Sequence, residues 1–298
     1  MHWTCWILSS AVVLALYDIS KKASVKDNAV LPTLLCSTLF GCAAFIAGLA
    51  VAGRIDAAVQ ATPQVIWLSV AKSVIVSTSW VFTFCALRTL PISIATPIRA
   101  SAPALVFVVA FFLYGEVPDL VQFVGMVAVF AGYFVFSWAG RHEGIDFFRS
   151  RAVWCAVAGA FFSACSSLWD KYVFQVCCAP VETVQLLFQI GLVIVYALLL
   201  GAIALAKALS RDRAAPQERG FEWRWTIPCV GILLAGSDWL YFTGLAVPDV
   251  PISVASLMRR FSVVVTFVLG ARFFHETNLR RKAAALAVIM TGIVLLCL

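Results

Sequence analysis

Charge is scarce in this chain. Asp, Glu, Lys and Arg make up 12% of its 298 residues, about half the share found in soluble globular domains. That scarcity excludes a soluble globular fold. The net charge of +7 is not gathered into a basic domain, and no loop is long enough to hold one, which argues against a nucleic-acid partner. Histidine is almost absent, with three residues, and none of the ten cysteines is spaced as CxxC. A metal site is therefore not expected, and the cysteines read as small packing residues. No HExxH, GxSxG or clustered acidic motif occurs, so the chain is not expected to be an enzyme.

What is present is apolar. Hydrophobic residues make up 62% of the chain and mean hydropathy is +0.97. Ten apolar stretches span 3–20, 30–53, 64–87, 91–114, 118–139, 151–174, 181–207, 224–245, 250–273 and 279–298. Each is near the length of about 20 residues that crosses a bilayer as a helix. The first reads as span 1 and not as a removed signal peptide, because it lacks a basic leader and a small-residue cleavage site. Pro32, Pro63, Pro91, Pro118, Pro180, Pro228 and Pro251 punctuate span starts, where a missing N–H costs nothing. The expected fold is an all-α integral membrane protein of ten transmembrane helices.

The chain also repeats itself. Residues 91–136 lie over 251–296 without a gap, so that Pro91 meets Pro251, Ser93 meets Ser253, Arg99 meets Arg259 and Glu116 meets Glu276. Leu16-Tyr17-Asp18 ends span 1 as Leu168-Trp169-Asp170 ends span 6, and Trp80 aligns with Trp239. Residues 1–139 and 151–298 then form two five-helix repeats joined by the loop 140–150. Five crossings per unit place the second copy upside down relative to the first, the build of a secondary transporter working by alternating access. The loops joining spans 1–2, 3–4, 5–6, 7–8 and 9–10 hold sixteen Lys and Arg, and the opposite loops hold Arg54 and Lys171. The positive-inside rule puts the sixteen in the cytoplasm and both termini outside.

Lys72, Arg99, Asp238, Arg259 and Arg260 fall well inside spans, four cations to one acid. Facing lipid, the four cations would cost about 10–14 kcal/mol on an insertion scale. They are expected instead to border a midplane cavity between spans 3, 4, 8 and 9. An excess of positive charge there favours an anion, and the arginine fork fits carboxylate or phosphate. These five residues are the candidate substrate-binding set. A structural alternative stays open, in which Asp238 pairs with Lys72 or an arginine and leaves fewer cations free.

The remaining charges read more plainly. Asp18 precedes Lys21 and Lys22 at helical salt-bridge spacing. Glu116 and Glu276 precede spans 5 and 10, where a helix N-terminus favours a carboxylate. Span 5 carries Ala128 and Gly132, and span 10 carries Ala283, Ala287 and Thr291. These small faces suit close packing within one protomer or in a homodimer, and a monomer is equally compatible.

Gly115-Glu116 followed by Gln122, Gly125 and Gly132 resembles the G-E-x5-Q-x2-G-x6-G signature of the EamA group in the drug/metabolite transporter superfamily. The second copy keeps Glu276 and Gly292, with His275, Lys282 and Ala285 at the other places. The resemblance implies a ten-helix inverted-repeat transporter of small metabolites, without a cofactor. A narrower stretch, Ile98-Arg99-Ala100 with Pro103, is similar to the I-K-A-x-x-P of phosphate translocators and nucleotide-sugar transporters. Met258-Arg259-Arg260-Phe261-Ser262-Val263 is similar to their V-K-R-x-S-V. That similarity implies anion-ligand roles for Arg99, Arg259 and Arg260. Those relatives are usually drawn with cytoplasmic termini, the reverse of the charge count here.

The sequence thus points to a secondary transporter of a small anionic or zwitterionic metabolite, with the lipid bilayer as its other partner. Short loops and termini suggest a prokaryotic plasma membrane. An exporter of neutral or cationic compounds is the first alternative, and a membrane enzyme or scaffold without transport the second.

Overall fold

The computed structural model describes residues 2–25, 28–89, 102–138, 150–209, 220–262, 264–265 and 287–295, and every regular element among them is helical. In order these are α1 (Trp3–Val25), α2 (Val30–Val51), a short α3 (Ile55–Val59), α4 (Pro63–Thr89), α5 (Ala102–Tyr114) and α6 (Leu120–Trp138). There follow α7 (Arg151–Lys171), which runs into a π-helical turn (Tyr172–Val176), then α8 (Val181–Leu209), α9 (Thr226–Leu245) and α10 (Ile252–Met258). Residues 287–295 are helical as well.

Among the described residues, six helices are long and apolar enough to cross a membrane, and they carry spans 1, 2, 3, 6, 7 and 8 of the sequence reading. The apolar helices Leu105–Tyr114 and Leu120–Gly132 fall in spans 4 and 5. The starts of spans 4 and 10 and the end of span 9 lie outside the described residues.

The burial pattern is that of a membrane protein. Large apolar side chains such as Trp67, Phe112 and Leu120 are more than two-thirds exposed, as a lipid-facing surface requires. The interior instead collects Ser10, Ser37, Ser69, Ser73, Gln185 and Ser237. Small residues let the backbones meet. A Cβ on Gly231 would sit 1.8 Å from the Ser37 carbonyl oxygen, and one on Gly41 would sit 2.7 Å from that of Gly231, so α2 and α9 touch main chain to main chain. Hydroxyls bridge other helix pairs. Ser10 Oγ donates to Ser237 O at 2.8 Å, Ser79 Oγ to Gly159 O at 2.8 Å, and Ser73 Oγ to Phe188 O at 3.1 Å.

The helix partners come in matched sets. Span 1 packs on span 8 and span 6 on span 3; span 2 packs on span 8 and span 7 on span 3. Span 4 packs on span 6 and span 9 on span 1, while spans 2 and 7 pack on each other. Moving five spans along the chain turns each of these pairings into its counterpart here, and the pairing of spans 2 and 7 into itself.

Two expected spans are not continuous α-helices. Span 6 changes to a π turn directly after Asp170 and Lys171, and the Cys177 N–H closes that turn on Tyr172 O at 2.9 Å. Span 9 stops being α-helical at Arg259 and Arg260. There the bonds tighten to a three-residue step, Arg260 N to Leu257 O at 2.9 Å and Ser262 N to Arg259 O at 3.3 Å. Such interruptions at membrane depth are tolerated where they are buried in protein or line a cavity. Spans 5 and 10 meet within the protomer at Gly125 and Gly292, whereas Ala287 and Thr291 of the expected small face are exposed and Ala283 lies outside the described residues. A Cβ on Gly292 would come within 2.7 Å of Gly125 O and 2.8 Å of the Val129 nitrogen.

Candidate functional site

The site is built from the inner faces of α4, α7, α8 and α9 and the turn that ends α10. Lys72 sits on α4 with a side chain 2% exposed. Its ammonium pairs with Asp170 of α7 and lies over two rings, 4.7 Å from the centre of Phe188 and 4.4 Å from that of Phe242. A desolvated ammonium gains from aromatic faces as well as from its counter-ion. Trp169, beside the acid, donates its indole N–H to Leu68 O at 3.0 Å and so ties α7 to α4 at this level.

The second pair crosses from α9 to the α10 turn. Arg259 binds Asp238 through Nη2, which also reaches Ser237 Oγ at 3.5 Å. The guanidinium carbon stands 4.2 Å from the centre of the Tyr241 ring. Tyr241 and Phe242 are neighbours on α9, so one helix presents a ring to each cation. The two rings also touch, with centres 5.8 Å apart, which joins the two pairs into one cluster. The Arg259 Nε–H is buried and has no acceptor among the described residues.

This corrects the balance of four deep cations to one acid. Asp170, read as lying near a span end, is 4% exposed. Helical structure continues past it through the π turn, and it is the counter-ion of Lys72. Lys72, Asp238 and Arg259 of the expected set do come together. Arg260 is half-buried in the same turn as Arg259 and has interactions of its own. Arg99 lies outside the described residues. A signal for Asp170 existed in its match to Asp18 and in the need of a buried Lys72 for an acid. Phe188, Tyr241 and Phe242 carried none, because the chain has 23 phenylalanines and aromatics occur throughout its spans.

A third charged group closes one end of this region. Glu116 was expected at the N-terminus of span 5, but it serves span 9. Its Oε1 accepts from Ile252 N at 2.8 Å, and its Oε2 from Ser253 N at 3.1 Å and Ser253 Oγ at 2.5 Å. Lys171 adds an ion pair at 2.6 Å and lies 4.8 Å over the Tyr114 ring. The reason is local. Gly115 has φ +63°, which only glycine adopts at little cost, and this reversal turns Glu116 back toward α10. Nearby, Gln175 of the π turn donates to Leu245 O and Val250 O at 3.0 and 2.9 Å. On the same face Arg54 pairs with Glu182 at 2.5 Å. Lys21 rests over the Tyr17 ring at 5.3 Å, while the side chain of Lys22, the other expected partner of Asp18, lies outside the described residues.

Among the described residues no group of three or more His, Cys, Asp or Glu is placed to hold a metal ion. The chemistry on offer is electrostatic: two paired cations, one spare guanidinium N–H, and aromatic faces.

Comparisons with known proteins agree with this build. Residues 1–138 match the model of the EamA-like transporter family. No curated protein matches the chain. A solved crystal structure at 18% identity superposes with a TM-score of 0.75 and covers 99% of this chain and 98% of its own, a likeness of fold.

Proposed function

We propose that this EamA-type membrane transporter moves a small anionic or zwitterionic metabolite by alternating access. The two five-helix units, 1–139 and 151–298, are inverted relative to each other about the loop 140–150, giving ten spans. The matched helix pairings support this arrangement. The observation that carries the substrate reading is Arg259. It stands where span 9 is interrupted, and its buried Nε–H lacks an acceptor among the described residues. A donor of this kind, held in place by Asp238 and the Tyr241 ring, suits an anionic oxygen. Arg99, by its repeat position, and Arg260 complete the anion set, and Lys72 and Asp238 hold the field around it. The resemblance of the Arg99 and Arg259-Arg260 stretches to those of phosphate translocators points the same way. The membrane is a prokaryotic plasma membrane, with the sixteen basic loop residues in the cytoplasm.

A second reading is favoured by the ion pairs themselves. Lys72 and Arg259 each have a buried acid, so an exporter of neutral or cationic compounds is its natural form. A thermal-shift screen of purified protein against anionic and cationic metabolites separates the two, since a ligand of the folded state raises its apparent stability. Stabilisation by anions that is lost in Arg259→Gln is expected. Stabilisation by lipophilic cations alone replaces this reading with the second.

A further inference from the structure

A small cavity lies beside the charged cluster, between α2, α8 and α9. Its wall includes Thr38, Phe188, Gln189, Ala235 and Asp238. Asp238 is shared with the Arg259 pair, and Phe188 is one of the rings beneath the Lys72 ammonium, so the cavity adjoins the proposed anion site.

What marks this wall is its surplus of acceptors. Gln189 lines the cavity, and Gln185, which is not one of its lining residues, stands one turn before it on the same face of α8. Gln185 and Gln189 are 0% and 7% exposed, and neither Oε1 has a partner among the described residues. The Gln185 amide is oriented by its other end, where Nε2 donates to Ala235 O at 3.4 Å. Thr38 Oγ1 gives its proton to main-chain oxygens of its own helix, Leu34 O and Leu35 O, each at 2.9 Å. Its remaining valence is lone pairs. The Asp238 carboxylate, the Gln189 amide oxygen and the Thr38 hydroxyl lone pairs on this wall all accept. Buried acceptors are normally satisfied in a close-packed interior, by protein or by something that visits.

We propose that Gln189 and Asp238, backed by Gln185 through its bond to Ala235, form a second subsite that recognises a hydrogen-bond-donating group on the substrate, a hydroxyl or an ammonium. The substrate is then an anion at the Arg259 end and a donor at the α8 end. This rests on the anion reading above and adds what the rest of the molecule must carry. A site built to bond a donor rejects the analogue that lacks it, because its own buried groups are then left unpaired.

Three phosphates with the same anionic end test it on the full-length protein in detergent: n-propyl phosphate, glycerol 3-phosphate and O-phosphoethanolamine. Thermal-shift titration gives the relative affinities. One of the two donor-bearing phosphates is expected to bind about tenfold or more tightly over n-propyl phosphate, the worth of one good hydrogen bond to a charged or buried group. Which of the two is preferred separates hydroxyl from ammonium. In Gln189→Met, which keeps the reach of the side chain and removes the amide, that ratio falls to near one. Gln185→Met supplies the same ratio if Gln189→Met does not fold. Equal binding of all three phosphates, or a preference that survives both substitutions, overturns the subsite and leaves the anion reading in place. Binding of none of them overturns the anion reading and the subsite with it.

Discussion

Glu116 caps a helix of the other half of the chain. Its Oε2 accepts from both the main-chain N–H and the hydroxyl of Ser253, at 3.1 and 2.5 Å, and its Oε1 from the Ile252 N–H at 2.8 Å, on the first turn of α10. The same carboxylate holds Lys171 at 2.6 Å. Glu116→Ala removes all of these at once and leaves a cation 12% exposed without its acid. Loss of a cap is worth about 0.5–2 kcal/mol, and a largely buried ion pair broken on one side costs more. The variant is expected to melt at a clearly lower temperature than Glu116→Gln, which keeps two acceptor sites through its carbonyl. Equal melting temperatures would show that the cap carries no stability.

Lys72 and Asp170 should behave as a unit. Removing one partner of a buried pair typically costs about 3–5 kcal/mol, because the other charge is stranded. Lys72→Met and Asp170→Leu are each expected to be strongly destabilised, and the double variant should regain more than half of the loss. Chemical denaturation in detergent measures the cycle. Additive losses would mean that the two side chains do not depend on each other.

By the sequence match, Arg99 and Arg259 stand at equivalent places in the two proposed repeats, and each should be needed for uptake. Charge-assisted contacts to a bound anion are worth about 1.5–3 kcal/mol, which is about ten- to a hundredfold in affinity. Arg99→Gln and Arg259→Gln are expected to abolish uptake into vesicles while the protein still reaches the membrane. Arg99→Lys should do better than Arg99→Gln, and Arg260→Gln should do less harm than either glutamine variant at the matched sites. Arg259→Gln also strands Asp238, so the double variant with Asp238→Asn separates folding from binding. Normal transport by the glutamine variants would sink the anion reading.

How much of this was legible beforehand can be argued from these residues. The apolar stretches follow from composition alone, because each helix must satisfy its own main chain in lipid. Lys72, Asp238 and Arg259 stood out because charge is expensive there. Asp170 did not, since a residue near a span end is cheap unless the helix runs on, and only the π turn carries it inward. The partner of Glu116 was hidden for a different reason. The Gly-Glu pair shows that a turn occurs, but the helix it turns toward is set by packing between spans more than a hundred residues apart.

Gly231→Ala is a severe test of the packing. The added methyl would fall 1.8 Å from the Ser37 carbonyl, and main chain on both sides has no side-chain slack to give. Overpacking of this kind costs about 1–3 kcal/mol or more. A lowered melting temperature is expected here, whereas Gly48→Ala, where the methyl would meet nothing within 4 Å, should be close to neutral.

Orientation is tested without purified protein. A reporter fused after Leu298 should behave as external, active as alkaline phosphatase and dark as a cytoplasmic fluorophore. The opposite pattern would invert the proposed topology.

The contact that makes Gly231 so sensitive also sets the two halves apart. Counting eight residues back from Trp239 reaches Gly231, and eight back from the matching Trp80 reaches Lys72. One half therefore places an ammonium where the other places bare backbone against a neighbouring helix. Under the proposed alternating access, two identical inverted halves would make the inward-open and outward-open forms two-fold-related partners of equal energy. The difference between Lys72 and Gly231 removes that degeneracy, and the proposed mechanism then gives the empty protein a preferred side on which to wait.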